Sequence, residues 1–239
     1  MLHMLKVFVP PSITKPVVTS CLLLLAIGVR GASAEANDGS WADPAKWVVE
    51  QRPGGSVQLE GGTLEIKDVG GCTVWWRTKL TAPVEIRYTA VVLMEDGPFD
   101  RLSDLNCFWM ASDPEHPEDL FHSGHGRTGA FADYDALQTY YVGYGGNYNS
   151  TTRFRRYAGG GPKPLLPEHD LREPPFLLEP NHAYEIRLVA KPDGVVQYYR
   201  DGELVFDYRD PEPLREGWFG IRTVKSHLRI TNLEIRSAE

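Results

Sequence analysis

The sequence lacks the signals that would place it in several large classes of protein. It has 25 Lys and Arg against 32 Asp and Glu, a formal net charge of −7, so it lacks the basic balance typical of nucleic-acid binding. It also has no helical periodicity of useful length, no internal repeat and no low-complexity linker. These absences argue against a nucleic-acid partner and predict a domain that is built mainly from strands.

Long apolar runs are also scarce, and the one near the start has the organisation of a secretory signal peptide. Residues 16–29 (PVVTSCLLLLAIGV) follow Lys6 and Lys15 and precede an Ala-Ser-Ala motif that ends at Ala34. The run is shorter than the roughly 20 apolar residues that a spanning helix needs. We therefore predict a signal peptide over residues 1–34, a secreted or periplasmic location, and no membrane span after cleavage.

Cysteine is rare. Of the three cysteines, Cys21 lies in the predicted signal peptide, which leaves Cys72 and Cys107 in strand-like runs. An oxidising compartment would allow these two to form a disulfide, and two buried thiols are the alternative. We expect thiols, because a core of this size does not need a covalent staple.

Strand periodicity dominates the part of the sequence that remains, residues 35–239. The last third alternates apolar and polar residues, and it is interrupted at Asp193-Gly194 and Asp201-Gly202. Each Asp-Gly pair supplies the positive φ that a tight hairpin requires. The pattern predicts an all-β fold of two packed antiparallel sheets in one domain.

Several segments resemble known families. The order YEIRLV, VQYYRDGELVFDY, GWFGIRT and LRITNLEI resembles the closing strands of the concanavalin A-like lectin/glucanase superfamily. The segments LNCFWMASDP, YYVGYGGNYNSTTRFRRY and GPKPLL resemble a bacterial jelly-roll family of unknown function whose members sit beside polysaccharide-degrading enzymes. The resemblance spans roughly residues 55–239 and implies a concanavalin A-like jelly roll and a carbohydrate ligand. It leaves the activity open, because the superfamily hosts hydrolases, lyases and plain sugar binders.

The segment 140–157 is unusually rich in tyrosine and arginine, which suits contact with a ligand better than packing in a core. In a strand that begins near Leu137, alternate residues share a face, and the next strand places its arginines opposite Phe154. We expect one groove that is lined by Tyr140, Tyr144, Arg153 and Arg155. Further contacts to the sugar are expected from Gln138, Asn147, Tyr157 and Trp76. The alternative is a set of structural Tyr–Arg stacks at a sheet edge.

The residue types in this groove predict elimination on an acidic polysaccharide. Arginine can neutralise a uronate carboxylate, while Tyr144, Tyr140, His122 or His125 moves the proton. The tyrosine strand resembles a Tyr-rich strand of alginate-lyase-like jelly rolls, which also have a Gln-x-His strand. Here Gln138 is followed by Thr139-Tyr140, with no histidine, so the catalytic base is not identified.

Two alternative functions stay open. One is a non-catalytic carbohydrate-binding module. The other is a glycoside hydrolase, which needs two carboxylates. Laminarinase-like members of the superfamily supply them from a Glu-x-Asp-x-Glu strand. This sequence lacks that strand, and Asp133 and Asp135 are the nearest substitutes. The histidines near residue 120 match a metal site only loosely, so no metal or cofactor is expected, while a structural calcium ion stays open.

Overall fold

The computed structural model describes residues 40–238. Within them, the strands are β1 Trp47–Gln51, β2 Ser56–Glu60, β3 Thr63–Lys67, β4 Cys72–Trp76, β5 Leu80–Thr81, β6 Val84–Val92, β7 Leu105–Ser112, β8 Gln138–Gly145, β9 Thr151–Ala158, β10 Asp170–Leu171, β11 Ala183–Ala190, β12 Val195–Arg200, β13 Glu203–Arg209, β14 Glu216–Thr223 and β15 His227–Ser237. The helical pieces are 3₁₀ turns at Ser40–Ala42, Pro44–Lys46, Phe131–Tyr134, Pro167–His169 and Pro174–Phe176, and a four-residue turn at Gly146–Asn149.

The strands form two antiparallel sheets that pack face to face. Sheet A has the order β1-β4-β14-β7-β8-β9-β10, with β5 paired to β14, and sheet B has the order β13-β12-β11-β6-β15-β3-β2. Some neighbours are consecutive in the chain, whereas others, such as β4 and β14 or β6 and β15, come from distant parts of it, as in Greek-key arrangements. The predicted all-β jelly roll is therefore confirmed.

Alternating residues explain why these segments form a two-layered structure. In β6, Val84, Ile86 and Tyr88 are buried between the sheets, while Glu85 and Arg87 point to the outer face. The two predicted Asp-Gly turns join β11 to β12 and β12 to β13. Three residues of these two pairs have positive φ: Gly194 at 91°, Asp201 at 52° and Gly202 at 82°. Glycine is needed at position 194, because a Cβ there would lie 2.3 Å from the Asp210 carbonyl oxygen.

The two remaining cysteines are buried free thiols, as expected. Cys72 is on β4 and Cys107 is on β7, and β14 lies between those strands. Two strand spacings, roughly 9.6 Å, exceed the Cα separation that a disulfide allows. Burial raises the pKa of Cys107 to about 12, so this thiol is protonated at neutral pH.

The predicted signal peptide, residues 1–34, lies outside the described residues, so its cleavage and the secreted or periplasmic location stay predictions. Between residues 40 and 238, no helix has the length and apolar character needed to cross a membrane.

The packing between the sheets yields a stability prediction at β9. Phe154 is 2% exposed and contacts the rings of Trp109 and Phe206, both at 6.0 Å between centroids. Phe154→Ala should lower the free energy of unfolding by roughly 3–5 kcal/mol, because it leaves a cavity in the core. The matched control is Arg155→Ala, on the opposite face of the same strand, which should change stability by less than about 1 kcal/mol. Equal losses in urea denaturation would contradict this assignment of faces.

Candidate functional site

The outer face of sheet A has a covered half and an open half. Segment 113–137 covers the first half and packs on an aromatic layer of the sheet. The buried residues of this layer are Trp75, Phe108, Ala111, Tyr141, Tyr157 and Trp218 from the strands, with Leu120, Tyr134 and Leu137 from the segment. The covered half is thus a second, smaller hydrophobic core outside the sandwich.

A buried carboxylate holds this segment on the sheet. Glu50 of β1 accepts hydrogen bonds from Trp75 Nε1 at 2.9 Å, Arg127 Nε at 3.0 Å and Tyr134 Oη at 2.9 Å. Arg127 also donates through Nη2 to the Leu120 carbonyl at 2.6 Å. Because Arg127 and Tyr134 belong to the segment and Trp75 to β4, the single carboxylate of Glu50 joins both layers.

A groove of about 360 Å³ lies over β8 and β9 at the border between the two halves, and it shares Tyr141 and Tyr157 with the aromatic layer. The strands contribute Tyr141, Gly143, Arg153, Arg155 and Tyr157 to its lining, and the loops contribute Asp104, Phe131, Asn147 and Lys163. The register pairs Tyr141 with Arg155 and Val142 with Phe154. Since cross-strand partners share a face, the apolar pair faces the core and the Tyr–Arg pair faces the groove.

Two predicted groove residues lie elsewhere: Tyr140 and Tyr144 are buried between the sheets, at 0% and 1% exposure. The Tyr140 hydroxyl donates to Asp210 Oδ2 at 2.7 Å, and the Tyr144 hydroxyl donates to the Leu177 carbonyl at 3.2 Å. Their placement in the groove was therefore wrong, because each phenol finds its polar partner inside the protein. Burial raises the pKa of both phenols, which makes them poor proton carriers at neutral pH.

The groove cations differ in how they are neutralised. Arg153 forms a forked ion pair with Asp170 of β10, at 2.7 and 3.3 Å, and Lys163 pairs with Asp135. Arg155 instead donates through Nη1 to the carbonyl of Lys163 at 2.6 Å. Within residues 40–238 no carboxylate lies at ion-pair distance from Arg155, so its charge is the least neutralised of the three.

A strained turn borders the groove at its Asn147 end. Asn147, Tyr148 and Asn149 have φ of 53°, 60° and 57°, in the left-handed region that Asn adopts readily but that costs a residue such as Tyr roughly 1–2 kcal/mol. The side chain of Asn149 fixes the turn by two hydrogen bonds to the backbone of Leu178. Its Oδ1 accepts from the Leu178 N–H at 2.8 Å, and its Nδ2 donates to the Leu178 carbonyl at 2.9 Å. As a result Tyr148 is held 80% exposed.

Within residues 40–238, one cation packs on the exposed Tyr148 ring. The Arg101 guanidinium carbon lies 4.4 Å from the centre of the ring. Arg101 is itself fixed by Asp104 Oδ2 at 2.9 Å and by the Val224 carbonyl at 2.5 Å. The ring therefore stands at the rim of the groove on a rigid support.

The predicted histidines are not at the groove. His125 Nδ1 lies 3.8 Å from Glu50 Oε1, and Glu50 is on β1, four strand positions or roughly 19 Å from β8. His122 Nε2 lies 3.4 Å from Asp113 Oδ2, just beyond the end of β7 that is remote from Gly143. The expectation of a histidine at the groove edge was therefore wrong, because the part of segment 113–137 that carries the histidines lies near Glu50 of β1 and beyond the end of β7, and Phe131, later in the segment, reaches the groove instead.

The remaining candidates have structural contacts. Asp133 accepts from the Thr128 backbone N–H at 2.7 Å and hydroxyl at 2.8 Å. Trp76 packs against Trp47 between the sheets, at 5.3 Å between rings, so it is no sugar platform. Gln138 is half-buried at the start of β8, outside the groove lining. Among residues 40–238 there is no group of three or more His, Cys, Asp or Glu that could hold a metal ion.

Sequence reasoning missed several residues at the groove: Tyr141, Phe131, Lys163, Asp104 and Tyr148. A signal for Tyr141 was present, because Val142 and Phe154 are the apolar residues that a core would pair, and their pairing turns Tyr141 toward Arg155. Phe131 and Lys163 come from loops, where strand periodicity gives no direction.

The family model described as "Domain of unknown function (DUF6250)" matches residues 66–233. The chain belongs to this family. No curated protein matches the chain.

Solved structures share the fold at low sequence identity. A protein of unknown function with a galectin-like fold from Bacillus subtilis is 16% identical, with a TM-score of 0.62 over 81% of this chain and 90% of that chain. The carbohydrate binding module CBM66 from Bacillus subtilis is 14% identical, with a TM-score of 0.53 over 80% of this chain and 96% of that module. The potassium-bound carbohydrate recognition domain of Emp46p is 12% identical, with a TM-score of 0.53 over 84% of this chain and 92% of that domain. These likenesses confirm a concanavalin A-like jelly roll.

The Arg153–Asp170 pair predicts a pH dependence of stability. Hydrogen bonds from Arg153 and then from Arg172 lower the pKa of Asp170 from 3.8 to about 2. A lowered carboxyl pKa adds stability above pH 3.8 that is lost as the pH falls toward 2. Asp170→Asn should therefore lower stability at pH 7 and flatten the fall in stability between these pH values. Urea denaturation at several pH values measures this, with exposed Asp193→Asn as control, and an unchanged slope would contradict it.

Proposed function

We propose that this chain is a carbohydrate-binding domain that holds an acidic sugar chain in the sheet A groove without cleaving it. The observation that carries the proposal is Arg155, a groove cation whose described hydrogen bond goes to a neutral carbonyl. A guanidinium with N–H donors to spare can fork a carboxylate or sulfate of a sugar. Arg153 and Lys163 add positive charge on either side, although carboxylates offset both.

Aromatic rings beside these cations suit the apolar faces of a sugar chain. Phe131 lines the groove and is 43% exposed, and Tyr148 stands at the rim beside Asn147. Flat rings of this kind offer large contact area with little loss of conformational freedom. A bound sugar chain would lie from Phe131 toward Tyr148, with its acidic group over Arg155.

Binding fits the groove better than elimination does. Elimination needs a base whose pKa lies near the working pH. The phenols in the groove lining are Tyr141 and Tyr157, and burial raises the pKa of both. The groove lining contains no histidine within residues 40–238.

Hydrolysis has no better support in the groove. A retaining hydrolase needs two carboxylates about 5 Å apart on either side of the scissile bond. Asp133 is engaged by Thr128 and Asp135 by Lys163. The carboxylate in the groove lining, Asp104, is paired with Arg101 at 2.9 Å.

The fold is consistent with this proposal. Two of the solved structures that share it are a carbohydrate binding module and a carbohydrate recognition domain. Fold alone does not establish function, so the residues of the groove have to be tested.

Arg155 provides the first functional test. Arg155→Gln should weaken binding of uronate oligosaccharides at least about tenfold by calorimetry, because it removes a charge-assisted hydrogen bond. Its control is Arg209→Gln, an exposed arginine on the outer face of sheet B, which should bind as wild type. Absorbance in the ultraviolet, recorded in parallel, should show no unsaturated product. Unchanged binding by Arg155→Gln, or product formation by wild type, would overturn the proposal.

Tyr148 provides the second test. Tyr148→Ala should weaken binding by roughly three- to tenfold, because it removes a stacking surface, whereas Tyr148→Phe should keep most of the affinity. Neither change should lower the melting temperature, since the ring is exposed. Equal losses in the two variants would show that the hydroxyl, and not the ring, makes the contact.

A further inference from the structure

A second cavity, of about 270 Å³, opens between the sheets, where β9 of sheet A lies close to β13 of sheet B. The loop between β9 and β10 and the residues that follow β13 form its other walls. It has no lining residue in common with the groove. The strand itself separates the two spaces, because Phe154 and Arg156 are on the inner face of β9 and Arg155 is on the outer face.

An ion pair forms one polar wall of this cavity. Arg156 donates through Nε to Asp210 Oδ2 at 2.8 Å and through Nη2 to the Glu212 carbonyl at 2.9 Å. Asp210 also accepts from the Tyr140 hydroxyl at 2.7 Å, so the pair is anchored to the core. A third bond joins Arg156 Nη1 to the Tyr157 carbonyl at 3.4 Å. A guanidinium has five N–H donors, so two remain beyond the bonds that Arg156 makes within residues 40–238.

The ring of His169 forms a second polar element of the lining. It is held between aromatic rings, at 4.9 Å from Phe154, 5.7 Å from Tyr208 and 5.8 Å from Phe206 between centroids. His169 is only 5% exposed, yet no hydrogen bond reaches its ring from any residue between 40 and 238. Both ring nitrogens keep some accessible surface, so they face the cavity that His169 lines.

An imidazole at this position is not explained by packing. The three aromatic neighbours would accept a phenyl ring equally well, and a phenyl ring has no polar atom to bury. The backbone does not require histidine either, since the His169 N–H closes a 3₁₀ turn onto the Leu166 carbonyl at 2.9 Å, as any residue with an N–H could. Because buried polar groups in proteins are nearly always paired, an unpaired imidazole that faces a cavity points to a ligand.

The charge and size of the cavity narrow the class of ligand. Burial lowers the pKa of His169, so the ring is neutral at pH 7 and has one donor and one acceptor. The charged lining residues are Arg156, Asp210 and Glu212, a local net charge of −1, which disfavours an anion. Cavities for drug-sized ligands measure roughly 300–1,000 Å³. A cavity of about 270 Å³ therefore suits one small neutral ring.

We propose that this cavity binds a single neutral sugar residue. A sugar ring has an apolar C–H face, which suits Phe154 and Tyr208, and hydroxyls that both donate and accept. The neutral imidazole of His169 can pair with a hydroxyl through either nitrogen, and the remaining donors of Arg156 can pair with its neighbour on the ring. The site is separate from the groove and does not rest on the function proposed for it.

The test uses the methyl pyranosides of glucose, galactose, mannose and xylose, each titrated into the full chain by calorimetry and by saturation-transfer NMR. At least one should bind. Cyclohexanol has the same ring size but one hydroxyl, so it should bind at least about tenfold more weakly than that sugar. If none of the four pyranosides binds, or if cyclohexanol binds as tightly as the best of them, the proposal is wrong.

His169→Phe separates recognition from packing. The phenyl ring keeps the aromatic contacts and removes both nitrogens, so sugar binding should weaken at least about tenfold while the melting temperature stays the same or rises. Unchanged affinity would overturn the proposal. A marked fall in melting temperature would show that the imidazole supports the fold, and it would overturn the proposal as well.

A blocking variant tests the position of the site without touching its polar groups. Ala158 is exposed and lines the cavity, so Ala158→Phe should fill part of the space and abolish binding. The matched control is Ala183→Phe, at an exposed alanine of β11 outside the cavity, which should bind as wild type. Arg155→Gln should also bind as wild type. Equal loss in Arg155→Gln would place the sugar in the groove and contradict the proposal.

The source of the sugar residue is resolved with the disaccharide of whichever pyranoside binds. An affinity within about threefold of that of the monosaccharide would show that the cavity accepts the end of a chain. Binding at least tenfold weaker would show that it takes the free sugar. Both results support a site for one neutral residue, whereas a disaccharide that binds with full affinity to His169→Phe would contradict it.

Discussion

The buried carboxylate of Glu50 is the interaction on which the outer face of sheet A depends. A carboxylate inside a protein is costly unless its lone pairs are used, and here an indole, a guanidinium and a phenol use them. Two of these donors come from segment 113–137, so satisfying the charge also seats the segment. Without that attachment, the aromatic layer on β4, β7 and β14 would face water. The groove therefore lies where segment 113–137 no longer covers the outer face of sheet A.

The basic side chains on the two outer faces of the domain are neutralised by acids from different parts of the fold. On sheet A, the acids that offset Arg153 and Lys163 come from loops or from the edge strand β10. On sheet B, one acid within the strand layer gathers three arginines. The counter-charges of the two faces therefore differ in origin: loops and an edge strand supply them on sheet A, and β6 supplies one on sheet B.

The sequence was sufficient for the fold, because alternation and Asp-Gly turns are local signals. It also placed Arg153, Arg155 and Tyr157 on the face opposite Phe154. Sequence reasoning placed Tyr140 and Tyr144 in the groove by mistake, because it assumed that the hydroxyl of a tyrosine needs a partner outside the chain. The partner of Tyr140 is Asp210, seventy residues away, and no local pattern reveals it. The histidines failed for a related reason, because the path of a long loop depends on contacts such as that of Arg127 with Glu50.

The left-handed turn at Asn147–Asn149 has a consequence for the energetics of recognition. Its conformational cost is met when the protein folds, through the anchoring of Asn149 and the support of Arg101 under the Tyr148 ring. A ligand that lands on this ring therefore meets a surface that has little backbone or rotamer freedom left to lose. Under the proposed function, binding at this rim would have a small entropic penalty, so even a weak contact there would contribute most of its enthalpy to affinity.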